Sequence, residues 1–317
     1  MDRTIDYSIV IPVFNEEDVI PETYSRLKQV MEDCGGHYEL LFVDDGSTDD
    51  STKILKDLCQ KDSKVKLLIF SRNFGQQAAL SAGIDFSSGK AVVLIDADLQ
   101  DPPEVILKMV KKWKEGYDVV YAKRTKRKGE NFLKRLTAAL FYRLLKVLTD
   151  HEIPVDVGDF KLIDRKVCDS LKNIREKGRF LRGLISWVGF KQTEVEYVRE
   201  ERWAGSTKYY FKKRLNLALD ALLSFSYKPL KITLSIGLIL SGFSLLYLTV
   251  ALYQKLFIQD TFVVWAFLLA INIFFNGILL IALGIVGRYI ARIYEELKDR
   301  PLYIVADNRG FTKNENE

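Results

Sequence analysis

From Tyr7 to Ala122 the chain alternates short apolar runs with stretches of helical periodicity. "YSIVIPV" precedes a helical pattern from about Val19, "YELLFVD" one from about Ser51, and "VKLLIFS" one from about Gln76. "AVVLID" precedes a fourth from Pro102, and "YDVVYA" closes the series. Apolar strands alternating with helices predict an α/β domain whose mostly parallel sheet is covered on both faces. No internal repeat or low-complexity segment interrupts this order.

Nearer the C-terminus the pattern changes to two long uncharged runs, Ile232–Tyr253 and Phe262–Val286. At about 1.5 Å per residue, either run as a helix reaches roughly 30 Å, the thickness of a bilayer's hydrocarbon core. The short link Gln254–Thr261 predicts an antiparallel hairpin of two transmembrane helices. Lys228 and Lys231 precede it and Arg288 and Arg292 follow it, whereas the link carries Lys255 against Asp260. The positive-inside bias places the N-terminal domain in the cytoplasm. Leu215, Ala218, Leu219, Leu222 and Phe225 recur at helical spacing and predict an amphipathic helix lying in the interface. The expected division is a cytoplasmic α/β domain over 1–208, an interfacial region over 209–231, a membrane hairpin over 232–287 and a cytoplasmic tail over 288–317. The first apolar run is short, broken by Pro12 and without a basic lead, so no cleavable signal is expected.

Composition narrows the chemistry. Cys34, Cys59 and Cys168, with His37 and His151, are too few and too scattered for a disulfide framework or a zinc site. The net charge of +5 is modest and its cations are clustered, as in "AKRTKRKGENFLKR". That run lacks a recognised module or aromatic interleaving, so a local anionic partner is expected and a nucleic acid is not.

In an open parallel sheet, ligands gather beyond the carboxyl ends of the strands. Asn15 and Glu16, Asp44 and Asp45, Arg72 and Asn73, and Asp96 and Asp98 all fall there. Asp and Asn also suit turns and caps; convergence on one crevice is what favours a site. Within "DADLQDPPE", Asp101, Pro102, Pro103 and Glu104 read as a helix start with Asp101 as N-cap. Asp96 and Asp98 precede that cap, and like charges so close call for a cation. Alternation along an extended segment would put Asp96, Asp98 and Gln100 on one side. Three oxygen donors without His or Cys suit Mg²⁺ or Mn²⁺.

"IPVFNEE", "VDDGSTD", "SRNFGQQAAL", "DADLQDPPE", "VGDFKLIDR" and "RWAGSTKY" together resemble the inverting family 2 glycosyltransferases, and among these the polyisoprenyl-phosphate glycosyltransferases. The likeness runs from about Tyr7 to Arg292. It implies a GT-A fold, a nucleotide-sugar donor and a polyprenyl-phosphate acceptor in a bacterial-type inner (cell) membrane. It further implies that Pro12, Asn15, Glu16, Asp44 and Asp45 hold the nucleoside, with Asn73 and Gln76 as weaker carry-overs. Asp96, Asp98 and Gln100 would hold the metal and diphosphate, and Asp159 would be the catalytic base, an orienting carboxylate or a metal ligand. Arg124, Arg135 and Arg202 are expected on the acceptor or donor phosphate, because guanidinium grips it through paired hydrogen bonds, and Lys208 is a further cation expected there. The expected reaction moves one sugar, glucose from UDP-glucose, to undecaprenyl phosphate with inversion; GDP-mannose and UDP-arabinose-type donors stay open. A processive polysaccharide synthase is a rival, but "REERW" has Arg199 where such enzymes carry Gln. A membrane-tethered binding protein without turnover is another, since fold alone never establishes activity. Oligomeric state, a homo-oligomer included, stays open.

Overall fold

The computed structural model describes residues 4–126, 157–200 apart from 175 and 178, scattered positions between 235 and 253, and 264–311. Its strands are β1 Tyr7–Val13, β2 Tyr38–Asp44, β3 Val65–Phe70, β4 Ala91–Leu94, β5 Val119–Lys126, β6 Val157–Asp164, β7 Gln192–Val198 and β8 Val305–Arg309. The helices are α1 Ile20–Cys34, α2 Ser51–Lys61, α3 Gln76–Phe86, α4 Val105–Lys114, α5 Arg165–Lys172, α6 Leu181–Trp187 and α7 Val264–Leu297.

The strands form one eight-stranded sheet in the order β7-β5-β6-β4-β1-β2-β3-β8. β1 to β5 and β7 run one way, while β6 and β8 run against their neighbours. Chain order reverses between β1 and β4, which opens a crevice at their carboxyl ends. Period-two alternation separates the two cores. Ile9, Ile11, Phe42, Phe160 and Leu162 face α1, α2 and α4, whereas Val10, Leu41, Val92, Tyr121 and Ile163 face α3, α5 and α6.

The first four strand–helix units follow the expected order, with two corrections around the acidic segment. β4 ends at Leu94, and residues 97–100 turn, with Leu99 at φ 56°, so Asp96, Asp98 and Gln100 do not lie on an extended segment. α4 starts at Val105 rather than at Pro102, and Asp101 does not cap it. Asp101 is drawn instead into side-chain contacts on the sheet's rim.

The second apolar run is helical, and α7 carries on beyond Val286 to Leu297, past Arg288 and Arg292. Within it Phe274–Leu297 is long and apolar enough to cross a membrane, with mean hydropathy 1.8 and none of that window buried. No other helix among the described residues meets that measure. The described positions of the first run are helical, but half of that run and the whole of 209–231 lie outside the described residues.

After α7 the chain returns to the sheet. Lys177 N–H donates to Glu296 at 2.7 Å, Tyr303 stacks on Phe70 at 5.2 Å, and the Tyr303 hydroxyl donates to Asp85 at 2.8 Å. β8 then pairs antiparallel with β3 and covers that edge.

α3, whose first turn reaches the crevice, owes its position to Gly83. A Cβ there would lie 2.0 Å from Val10 Cγ1 on β1. Gly83→Ala is expected to destabilise the domain by about 1–3 kcal/mol through overpacking, read as a lowered thermal midpoint of the full chain in detergent. An unchanged midpoint would mean that α3 can move off the sheet without cost.

Candidate active site

The loops after β1, β2 and β3 build one wall of the crevice by holding each other. Asn15, at φ 54°, adopts the left-handed conformation that Asn tolerates. Its Oδ1 accepts from Thr48 N–H at 2.7 Å, and its own N–H donates to Ser47 Oγ at 3.0 Å. Glu16 N–H donates to Ser51 Oγ at 2.9 Å. Asp44 accepts from Ser47 N–H at 2.9 Å and from the Thr52 hydroxyl. Asp45 accepts from Phe74 N–H at 2.6 Å and Gly75 N–H at 2.9 Å, which ties β2 to the loop that starts α3. Burial raises the Asp45 carboxyl above its ordinary range, partly opposed by those two N–H groups. Gly46, at φ 70°, lets this wall close, since a Cβ would meet the Arg72 carbonyl carbon at 2.6 Å. Pro12 lies in β1 opposite Val43, and the Asn73 carbonyl accepts from Arg72 at 3.0 Å.

The other wall is a cluster of acids. β6 is antiparallel to β4 with Leu94 opposite Lys161, so continuing that register by two residues brings Asp159 level with Asp96. Asp159 thus reaches the rim from the start of a reversed strand. It is buried, and Arg182 on α6 grips it through Nε at 2.8 Å and Nη2 at 2.9 Å. Gln77 also donates to Asp159 through its side chain, while its Oε1 accepts from Leu181 N–H at 3.0 Å. Burial pushes the Asp159 carboxyl up, but the charge and hydrogen bonds of Arg182 outweigh it and hold the group at about 2.

Asp96 has a different environment. Its Oδ1 accepts from the neutral Gln76 amide at 2.7 Å. Burial above all, then the charges of Asp159, Asp101 and Asp98, push it up to about 7 against the pull of Arg182. Asp98 Oδ1 accepts from Gln100 N–H at 3.2 Å within the turn.

Asp101, buried beneath these, accepts from the Tyr197 hydroxyl and lies 3.5 Å from Arg124 Nη2 and 3.7 Å from Arg199 Nε. Arg124 Nε in turn donates to the Tyr197 oxygen at 2.9 Å. Gly158 makes room for this arginine, because a Cβ there would meet Arg124 Nη2 at 2.6 Å. Arg124, expected on phosphate, is therefore an internal partner of Asp101. Arg135, Arg202 and Lys208 lie outside the described residues.

Gln77, Lys161, Arg182 and Tyr197 belong to the same rim; Gln77 and Lys161 fall inside quoted motifs without having been singled out, and Arg182 and Tyr197 fall in none. Lys161 had one local signal: alternation places it on the same face of β6 as Asp159 and Ile163, a cation in an otherwise inward-facing row. Its ammonium is fully buried without a hydrogen-bond partner, 5.4 Å from the Tyr121 ring centroid, and burial lowers it to about 8 against the pull of Asp159.

Among the described residues no group of three or more His, Cys, Asp or Glu is arranged to hold a metal by itself. The donor set that remains, Asp96, Asp98 and the Gln100 amide, is oxygen-only and incomplete. That suits Mg²⁺ or Mn²⁺ whose other ligands come from phosphate and water. Asp96 fits such a role, since its one hydrogen-bond partner shown at the rim is a neutral amide, and burial together with the neighbouring acids disfavours its charge unless a cation is bound.

The glycosyl transferase family 2 model matches residues 8–172. A Bacillus subtilis (strain 168) protein called uncharacterized glycosyltransferase YkcC is 58% identical over 311 residues, covering 98% of this chain and 96% of its own length. The Synechocystis protein called uncharacterized glycosyltransferase sll0501 is 45% identical and covers 97% of each chain. The SfII prophage-derived bactoprenol glucosyl transferase of Shigella flexneri is 42% identical, covering 94% of this chain and 96% of its own. The mostly parallel α/β layout is accordingly GT-A-like.

The Asp96 environment predicts a pH dependence. In cation-free protein Asp96 keeps its proton up to about 7, whereas the unfolded chain releases it near 3.8. Between these values the folded state binds the extra proton, so stability falls as pH rises through the window and the loss is complete above about 7. Thermal midpoints in EDTA should decline from about pH 5 to 7.5 more steeply for wild type than for Asp96→Asn, and Mg²⁺ or Mn²⁺ should restore the loss at the upper end. Parallel profiles for the two proteins would remove Asp96 as the source.

Proposed function

The chain belongs to glycosyl transferase family 2, and from that premise we propose that it moves one glucose from UDP-glucose to undecaprenyl phosphate with inversion at the anomeric carbon. The observation that carries this reading is the acid cluster at the β4 end, where Asp96 and Asp98 face the crevice beside the interlocked loops after β1, β2 and β3. The nucleoside lies against Asn15, Glu16, Asp44 and Asp45, with Pro12, Asn73 and Gln76 around it. The diphosphate lies over the β4 turn, where Asp96, Asp98 and Gln100 would hold Mg²⁺ or Mn²⁺. A bound metal supplies Lewis-acid stabilisation of the charge that grows on the departing diphosphate.

A phosphate oxygen of the lipid forms the new bond to the anomeric carbon as the bond to the nucleoside diphosphate breaks, its electron pair leaving with the diphosphate. Attack from the opposite face inverts the centre in one step. The bactoprenol glucosyl transferase relative supports the acceptor and the sugar, and its length, like that of this chain, leaves room for α7 beyond the catalytic sheet. α7 would cross the cell membrane with Arg288 and Arg292 on the cytoplasmic side, where nucleotide sugars are found.

The test is mass spectrometry of lipid products. Purified protein in detergent with Mg²⁺ is given undecaprenyl phosphate and, separately, UDP-glucose, UDP-galactose, GDP-mannose or a UDP-arabinose-type donor. A single hexosyl lipid made from UDP-glucose is expected, and Asp98→Asn should reduce its formation by about 100-fold or more. A product from a different donor would replace the sugar assignment. No product from any donor, with UDP still bound, would overturn the reading.

A further inference from the structure

We propose that Arg182 receives the phosphate head of the acceptor, and that Asp159 serves as the positioning residue for this guanidinium rather than as a proton acceptor. The inference rests on the reading that the acceptor is a polyprenyl phosphate. It assigns to the chain a cation that no sequence motif marks.

The pair is built asymmetrically. Asp159 is 5% exposed and Arg182 31% exposed, so the anion is interior and the cation is the accessible member of the pair. The carboxylate grips the Nε–Nη2 edge of the guanidinium through two hydrogen bonds, the planar fork geometry that fixes orientation best. Gln77 holds the same carboxylate, and its amide oxygen holds the first residue of α6, so carboxylate and helix are registered together. Behind them the buried Lys161 ammonium adds a second positive charge to the same spot. Asp159 is thus engaged by two cations, which disfavours its use as a base, and Arg182 is the exposed member of the group.

Its place across the sheet agrees. The proposed nucleoside residues lie at the ends of β1 and β2, the diphosphate residues at the end of β4, and the next strand over is β6. An acceptor that attacks from the side opposite the diphosphate approaches over β6, where Arg182 stands. Arg124, the described alternative, is engaged by Asp101 and Tyr197.

The chemistry needs no base. A phosphate monoester has its second pKa near 6 and is largely dianionic at neutral pH. Its oxygen lone pair forms the bond to carbon, the diphosphate leaves with the electron pair of the broken bond, and no proton is left to be collected. What the attacking dianion does need is a fixed cation that orients it without neutralising the attacking oxygen.

The experiment measures binding of farnesyl phosphate and of UDP with Mg²⁺ to the full chain in detergent, followed by steady-state kinetics with undecaprenyl phosphate. Wild type, Arg182→Ala, Arg182→Lys and Asp159→Asn are compared. The dissociation constant for farnesyl phosphate should rise by about tenfold or more in all three variants, with UDP binding unchanged. Asp159→Asn should raise the KM for the lipid while kcat changes by less than about tenfold, an effect that loss of a base would not produce. Retained UDP binding reports an intact fold; should Arg182→Ala lose it, Arg182→Lys and Asp159→Asn decide. Wild-type lipid-phosphate binding in folded Arg182 variants would overturn the proposal. So would an Asp159→Asn protein that binds the lipid normally and loses about 100-fold or more in kcat. Wild type that binds UDP but not farnesyl phosphate would instead bring down the acceptor reading itself.

Discussion

Like charges crowded at one end of a sheet are the constraint around which this domain is arranged. Asp96, Asp98, Asp101 and Asp159 converge where β4 ends and β6 begins, and the chain distributes counter-charge among them unequally. Asp159 has Arg182 and the nearby Lys161, and Asp101 has Arg124, Arg199 and the Tyr197 hydroxyl. Asp96 has the neutral Gln76 amide beside it. Two acids are therefore compensated internally, while a third is left at a potential that invites a cation from outside. Breaking one partner of a buried ion pair is costly because the other charge stays behind. The compensated acids thus stiffen the rim, and the uncompensated one remains responsive.

Stiffness on the nucleotide side comes from backbone groups. The carboxylate of Asp45 accepts from two successive N–H groups at the start of α3, and Asn15 exchanges hydrogen bonds with Ser47 and Thr48 across to the next loop. Three loops that would each be mobile alone are made into a single surface, which lowers the ordering cost of holding a ligand against it. Gly46 and Gly158 serve the same end by permitting close approach, one of loop to loop and the other of Arg124 to β6.

Much of this was legible before any coordinates. β1 and β2 carry mainly apolar runs, and their observed limits, Tyr7–Val13 and Tyr38–Asp44, coincide with those runs. The acids at the ends of β2 and β4 follow from the rule that parallel sheets bind at their carboxyl ends. The rule is silent on β6, because a reversed strand brings its beginning to that rim, so the neighbours of Asp159 could not be inferred. Asp101 was misread because Asp-Pro-Pro imitates a helix start, whereas long-range contacts with Arg124 and Tyr197 decide its place. Arg182 and Gln77 reach Asp159 only through tertiary packing of α6 and α3, and local sequence holds no trace of that meeting.

The order of the sheet has a mechanical meaning as well. β7 and β8 are its two outermost strands, and the chain between them, including α7, leaves from one edge and returns to the other. Eight strands make seven spacings, so the two attachments stand roughly 30 Å apart at about 4.8 Å per spacing. β7 ends and β8 begins at the carboxyl rim that carries the acids, so the segment that includes α7 joins the sheet on the side of the crevice at both of its ends.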